Sequence, residues 1–259
     1  MKINVVRLTN LCPRSSVVVR RIRAAITGKP YFFNRQKMRV RVFNAINEKI
    51  YFNNYIETGT YLGITTHFLS ATAARRSATV YSCEINDDYF AIARRTVGYL
   101  PNVHLHRGDS TEFLRHLTSQ VSSAVNFVYL DAHWHQYLPL RDELSILCDW
   151  RSTVIMIDDF QVPYDNGFRW DKYDDEREIC LRYIDGIFEA QSIYCPAYPA
   201  YKEGHKVALG YCVIATSKEL QKVLNKIELL KSVEASTTRF GDGQKDDMPS
   251  AVNEFRFGV

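Results

Sequence analysis

Nowhere in its 259 residues does the chain hold an uninterrupted apolar run approaching the roughly 20 residues needed to cross a bilayer, and its first residues lack the apolar stretch of a secretory leader. The reading is a soluble, cytoplasmic protein without a membrane partner. Charge of one sign is also missing. With 33 basic against 29 acidic residues the net charge is only +4, too small an excess for a surface that tracks phosphates, so nucleic acid is not an expected partner. The six cysteines, at 12, 83, 148, 180, 195 and 212, form no CxxC pair and no zinc-ligand spacing. Reduced, buried thiols are expected, not disulfides or a zinc knuckle. No internal repeat is visible. At 46% hydrophobic and 24% charged, the composition is that of an ordinary globular chain large enough to bury one substantial core.

Basic residues gather early, in Arg14, Arg20, Arg21, Arg23, Lys29, Arg35, Lys37, Arg39 and Arg41. They are read as the solvated face of a helical N-terminal extension over residues 1–50, with helical patterns at Ser16 to Thr27 and Asn34 to Glu48. From Tyr55 short β-rich runs alternate with amphipathic helical ones. The strands are expected at Tyr55 to Glu57, Thr79 to Glu84, Val103 to Arg107, Val125 to Asp131 and Thr153 to Asp158. The helices between them are expected at Ile64 to Arg76, Asp87 to Gly98, Thr111 to Gln120 and Leu138 to Cys148. Such alternation predicts an α/β, doubly wound, mostly parallel sheet. Gln161 to Asp175 reads as a lid, followed by a helix near Asp174 to Phe188. Strands at Ala190 to Tyr194 and Leu209 to Thr216 would close the sheet of a core spanning 51–217. A helix over Ser217 to Ser232 and a polar tail would complete residues 218–259.

Tyr55-Ile-Glu57-Thr-Gly59-Thr-Tyr61-Leu-Gly63 places two glycines between a strand and a helix, where the backbone must turn tightly and approach a ligand. A dinucleotide site prefers a third glycine and helix amides aimed at a pyrophosphate. Here a carboxylate opens the loop, which suits a cation such as the sulfonium and amino groups of S-adenosylmethionine. Glu84, ending the second predicted strand, is suited to accept both hydroxyls of a ribose. After the third, Asp109 or Ser110 can meet an adenine amino group, or Ser110 can cap the next helix. Tyr61 and Thr65 complete the expected cofactor set with Glu57, Gly59, Gly63, Glu84, Asp109, Ser110 and Asp131.

In this order, over about Tyr55 to Thr216, the chain resembles the Rossmann-like, class I S-adenosylmethionine-dependent methyltransferases. The resemblance implies their seven-stranded sheet with an antiparallel last strand. It sharpens at Phe127-Val-Tyr-Leu-Asp131-Ala-His133-Trp134-His135 and Val154-Ile-Met-Ile-Asp158-Asp159, which look like the strand-four and strand-five ends of metal-dependent O-methyltransferases. Catechol O-methyltransferase and the macrocin and novobiocin sugar O-methyltransferases are examples. The resemblance implies Asp131, Asp158 and Asp159 as ligands of Mg2+, or of Mn2+ or Ca2+. Three carboxylates at neighbouring strand ends would indeed repel one another without a cation or protons. His133 and His135 stand near the positions where relatives carry a base, and imidazole has a suitable pKa. Trp134, Tyr137, Phe160, Tyr164, Phe168, Trp170 and Tyr173 could wall a pocket for a small-molecule acceptor.

The expected activity is methylation of a hydroxyl on a sugar, phenol or other small molecule, with a homodimer as a plausible assembly. Two alternatives stay open: a metal-independent N- or O-methyltransferase of a larger substrate, and a non-enzymatic nucleoside-binding assembly module.

Overall fold

The computed structural model describes residues 32–233 apart from His135 and residues 174–176. The expected helix at Ser16 to Thr27, most of the tail, and His135 therefore lie outside the described residues.

Helix α1 (Lys37–Lys49) precedes the sheet. Five parallel strands follow with their crossover helices: β1 (Asn54–Thr58), α2 (Ile64–Ala74), β2 (Thr79–Glu84), α3 (Asp87–Val97), β3 (Val103–Arg107), α4 (Ser110–Val121), β4 (Val125–Leu130), α5 (Leu140–Leu147) and β5 (Ser152–Asp158). The remainder is β6 (Phe168–Arg169), β7 (Ile193–Pro196), β8 (Ala208–Leu209), β9 (Tyr211–Ala215), α6 (Lys218–Leu224) and β10 (Leu230–Ser232). The main sheet runs β10-β7-β9-β5-β4-β1-β2-β3, with β9 antiparallel to both β5 and β7. Strands β6 and β8 form a separate parallel pair.

Burial explains the sequence pattern. Strands β1 and β9 are buried at every residue, and β4 and β5 at all but the first, because layers cover both faces; their runs therefore do not alternate, and the polar Asn54, Glu57, Thr58 and Asn126 are buried among apolar neighbours. The edge strand β3 exposes His104, His106 and Arg107. Helix α1 seals one face with Met38, Val42, Phe43 and Ile46. Phe43 lies 4.9 Å from the Phe127 ring, and each such side chain contributes roughly 1.5–3 kcal/mol by leaving water.

The α/β reading holds, with corrections in the last third. The sheet has an eighth strand, β10, where a helix was expected to run to Ser232; α6 ends at Leu224 and the chain pairs antiparallel with β7. The expected helix near Asp174 to Phe188 is only a single 3-10 turn at Arg182–Ile184 among its described residues. Of the expected strand at Ala190 to Tyr194, Ala190–Ser192 is a 3-10 turn and the strand begins at Ile193. Among the described cysteines Cys83, Cys180, Cys195 and Cys212 are buried free thiols, and Cys148 is exposed.

The order of crossovers reverses between β1 and β4, which leaves a crevice outside the carboxyl ends of the strands. This switch point is where ligands of open α/β sheets bind.

Candidate functional site

A cavity of ≈ 700 Å³ opens at that crevice, within the range of about 300–1,000 Å³ typical of small-molecule and cofactor sites. Every strand end of the parallel set contributes: Gly59 and Tyr61 after β1, Glu84 to Asn86 after β2, Gly108 and Ser110 after β3, Asp131 to Trp134 and Tyr137 after β4, and Asp159 after β5. Asn34 and Asp171 close its sides.

The loop after β1 turns with Gly59 at φ +86° and Gly63 at φ +74°. A Cβ on Gly59 would lie 2.2 Å from the Asp131 carbonyl oxygen, so only glycine lets the two strand ends approach. The loop's own amides are engaged inside the protein. Gly59 N–H and Thr60 N–H donate to the Cys83 carbonyl, Tyr61 N–H to Glu84 at 2.7 Å, and Gly63 N–H to the Thr60 carbonyl. A loop whose amides are already paired is poorly suited to a phosphate. Of the charged groups that line the cavity, Glu84, Asp131, Asp159 and Asp171 are acidic, and no lysine or arginine is among the described lining residues. The cavity is built for a cation.

The predicted cofactor residues divide. Gly59, Tyr61, Glu84, Ser110 and Asp131 line the cavity. Glu84 accepts from the amides of Tyr61 and Asn86, and burial raises its pKa against those two hydrogen bonds. Glu57, Gly63, Thr65 and Asp109 do not line it. Glu57 is buried beneath the loop and accepts from Thr66 Oγ1 at 2.5 Å and Ser82 Oγ at 2.8 Å; burial pushes its pKa up to about 7 despite them. Gly63 starts α2 in a left-handed conformation, and Thr65 accepts from the Phe33 amide. Asp109 caps α4 by accepting from Thr111 N–H and Glu112 N–H, and its other oxygen accepts from Tyr137 OH. The cap belongs to Asp109 and the cavity wall to Ser110.

The acids after β4 and β5 are brought together in part. Ligand atoms of Asp131, His133 and Asp159 all lie within 4.8 Å of one another, with His133 Nε2 3.9 Å from Asp159 Oδ2. His133 Nε2 and Asp159 Oδ1 are buried without a hydrogen-bond partner among the described residues. Buried polar atoms are nearly always paired, so this acid–imidazole set fits a cation. Burial, followed by the charges of Asp158 and Asp159, holds the Asp131 pKa well above the ordinary carboxylate value. Burial with Asp158 raises Asp159 to about 6. For His133 burial acts downward, but Asp159, Asp171 and Asp158 outweigh it and raise the pKa.

Asp158 is placed differently. It is fully buried and accepts from Arg39 Nη1 and Tyr129 OH at very short range, from Asn34 Nδ2 at 2.7 Å and from the Asp159 amide at 2.8 Å. Successive residues of a strand face opposite ways, and Asp159 leaves the strand in the left-handed region at φ +49°, which separates the two side chains further.

Arg39 corrects the reading of the early basic run as a solvated face. Its guanidinium is fully buried, donates to the carbonyls of Leu209 and Gly210 as well as to Asp158, and lies 5.0 Å from the Tyr211 ring centre. Asn34 reaches the site from a left-handed turn at Phe33–Arg35, anchored by Phe33 against Tyr129 at 4.9 Å. Helical spacing was the available signal, since Arg39 precedes Phe43 by one turn on the buried face of α1. The aromatic set is also corrected. Trp134 and Tyr137 line the cavity, whereas Phe160 and Phe168 are core and Tyr164 OH donates to the Pro196 carbonyl. Trp170 donates to Glu178, and Tyr173 packs against the core. Tyr61 and Tyr89 stand in their place, 4.6 Å apart, with Trp134 5.5 Å from Tyr89.

Residues 56–160 match the family model described as a methyltransferase domain. No curated protein matches the chain by sequence. Among solved structures, cofactor-bound Rv0187 from MTB is 14% identical with a TM-score of 0.51, covering 83% of this chain and 99% of that one. A provisionally assigned O-methyltransferase from Klebsiella pneumoniae is 14% identical with a TM-score of 0.50, covering 78% and 88%. An O-methyltransferase from Bacillus cereus solved with SAH is 15% identical with a TM-score of 0.49, covering 82% and 96%. At these identities the likeness is one of fold.

Proposed function

With residues 56–160 forming a methyltransferase domain in a Rossmann-like fold of the S-adenosylmethionine-dependent class, we propose that this chain methylates a hydroxyl oxygen of a small-molecule acceptor beside a divalent cation. The observation that carries the reading is the cavity at the sheet's switch point, lined by four carboxylates and no described lysine or arginine. Its β1–β2–β3 side, with Gly59, Glu84, Asn86 and Ser110, suits the nucleoside and amino-acid ends of adenosylmethionine. Its β4–β5 side gathers Asp131, His133 and Asp159, which would hold the cation and face the acceptor.

A bound divalent cation there supplies Lewis-acid charge that favours the acceptor's alkoxide or phenolate over its hydroxyl. The chain's own residues do the rest. Glu84 orients the ribose, Gly59 lets the β1 and β4 ends close on one another beside the donor, and a carboxylate of the acid–imidazole cluster accepts the hydroxyl proton. Tyr61, Tyr89 and Trp134 form an aromatic rim suited to a ring-shaped acceptor.

Calorimetry with adenosylmethionine tests the donor, and the reading fails if the intact chain does not bind it. Transfer of a labelled methyl group to a panel of phenols and sugars tests the acceptor class. A chelator is expected to stop turnover while adenosylmethionine affinity stays within about threefold. The 3.9 Å approach of His133 to Asp159 favours one rival, in which a protonated imidazole balances the acids without metal. Chelator-insensitive turnover would establish that rival instead.

A further inference from the structure

We propose that the cation site consists of one imidazole and two carboxylates, His133, Asp131 and Asp159, because Arg39 holds Asp158 out of it, and that it prefers a first-row transition-metal ion to Mg2+. The inference rests on the methyl-transfer reading for its role but not for its geometry.

Asp158 and Asp159 would be interchangeable ligands if both faced the cavity. They do not. Asp158 Oδ1 accepts from Arg39 and the Asp159 amide, and Asp158 Oδ2 from Asn34 and Tyr129. With four donors and no exposure, this carboxylate has no lone pair free for a cation unless the guanidinium is displaced. Displacement is opposed by the housing of Arg39. The carbonyls of Leu209 and Gly210 hold its Nη2 and the Tyr211 ring lies 5.0 Å away, and removing one member of a fully buried ion pair strands the other charge. Arg39 is thus a positioning residue. It neutralises Asp158 and leaves the carboxylates of Asp131 and Asp159 to balance a divalent ion, with Asp171 at the cavity's side.

The third ligand follows from what is left unpaired. His133 Nε2 is buried, lines the cavity and has no hydrogen-bond partner among the described residues, and Asp159 Oδ1 is in the same condition. The left-handed backbone at Asp159 is the strain that turns its carboxylate toward His133. Mg2+ favours all-oxygen, near-octahedral surroundings with retained waters, whereas an imidazole nitrogen strengthens binding of the first-row transition ions. His133 then holds the ion, and its Nε2 cannot take the acceptor's proton.

The test uses the intact chain with Mn2+ and Mg2+ as separate probes. Calorimetry should give Mn2+ an affinity at least about tenfold above that of Mg2+. Electron spin-echo spectra of bound Mn2+ should show coupling to an imidazole nitrogen, which His133→Ala removes. Asp131→Asn and Asp159→Asn should each weaken Mn2+ by about tenfold or more, and Arg39→Met/Asp158→Asn, which removes the pair without stranding a charge, by less than about threefold. Absence of nitrogen coupling in the wild type, its persistence in His133→Ala, or equal affinities for the two ions would overturn the proposal. If Arg39→Met/Asp158→Asn does not fold, the wild-type and His133→Ala spectra decide alone. Adenosylmethionine binding in the same samples separates the two readings. Cofactor binding without the metal result sinks only this site, and the metal result without cofactor binding sinks only the methyl-transfer reading.

Discussion

Glu57 and the Arg39–Asp158 pair are buried charges that the fold treats in opposite ways. Glu57 has hydroxyl donors but no cation beside it, and burial lifts its pKa from the usual 4.5 to about 7. The folded chain therefore binds a proton that the unfolded chain releases above pH 4.5. The stability this contributes is full below the unfolded pKa and is lost as pH rises through about 7, on the order of 3–4 kcal/mol. Glu57→Gln should lessen that slope, the rest of which the other buried acids, Asp159 among them, carry. Melting temperatures of the two proteins compared near pH 5 and near pH 8 will show it, and an identical slope in both would refute the assignment. Asp158 instead has Arg39 against it. Arg39→Met should cost about 3–5 kcal/mol in urea unfolding, with part of the loss regained in Arg39→Met/Asp158→Asn, because the double variant no longer buries a lone charge.

Two turns decide where the elements deliver their side chains. The β1–α2 loop needs Gly59 because its Cβ position coincides with the backbone of Asp131, at the end of the neighbouring strand. Gly59→Ala should open the crevice, lowering stability by about 1–3 kcal/mol and adenosylmethionine affinity by about tenfold or more. Unfolding curves and calorimetry on the one variant check both, and unchanged affinity would show that the close approach is not needed for binding. The start of α4 carries the second. Asp109 pairs with the amides of Thr111 and Glu112, so Asp109→Ala should destabilise by about 0.5–2 kcal/mol through the lost cap. Its Tyr137 contact makes a secondary effect on the cavity wall measurable in the same calorimetric series.

At the scale of the whole molecule, the segment that precedes the matched domain is part of the site. The family match begins at residue 56, yet Asn34 and Arg39 reach Asp158 from Phe33–Lys49, and α1 covers the sheet with Met38, Val42, Phe43 and Ile46. A chain starting at Ile50 would expose that apolar face and leave Asp158 uncompensated. It should show no cooperative urea transition and little near-ultraviolet circular dichroism. A cooperative transition with normal adenosylmethionine affinity would show that the segment is an appendage.

Much of the frame was legible from residue order. Alternation of β-rich and helical runs gave β1 to β5 and their crossover helices, because strands buried on both faces are short and rich in apolar and β-branched residues while crossover helices are amphipathic. Acids and glycines at successive strand ends marked the crevice, since in a parallel sheet those ends all open on one side. Beyond β5 the reading weakened. Leu230–Ser232 is a strand because β7 offers an unpaired edge, which no local propensity records. The same holds for the partition of the acids. Adjacency in sequence makes Asp158 and Asp159 look alike, and only a φ of +49° and a guanidinium 119 residues away in the chain tell them apart. Sequence by itself determined which chemical groups stand at the strand ends, because strand periodicity is local. Tertiary structure decided which of them are neutralised from within and which are left to face a ligand, because charge pairing in a dry interior depends on distance through space.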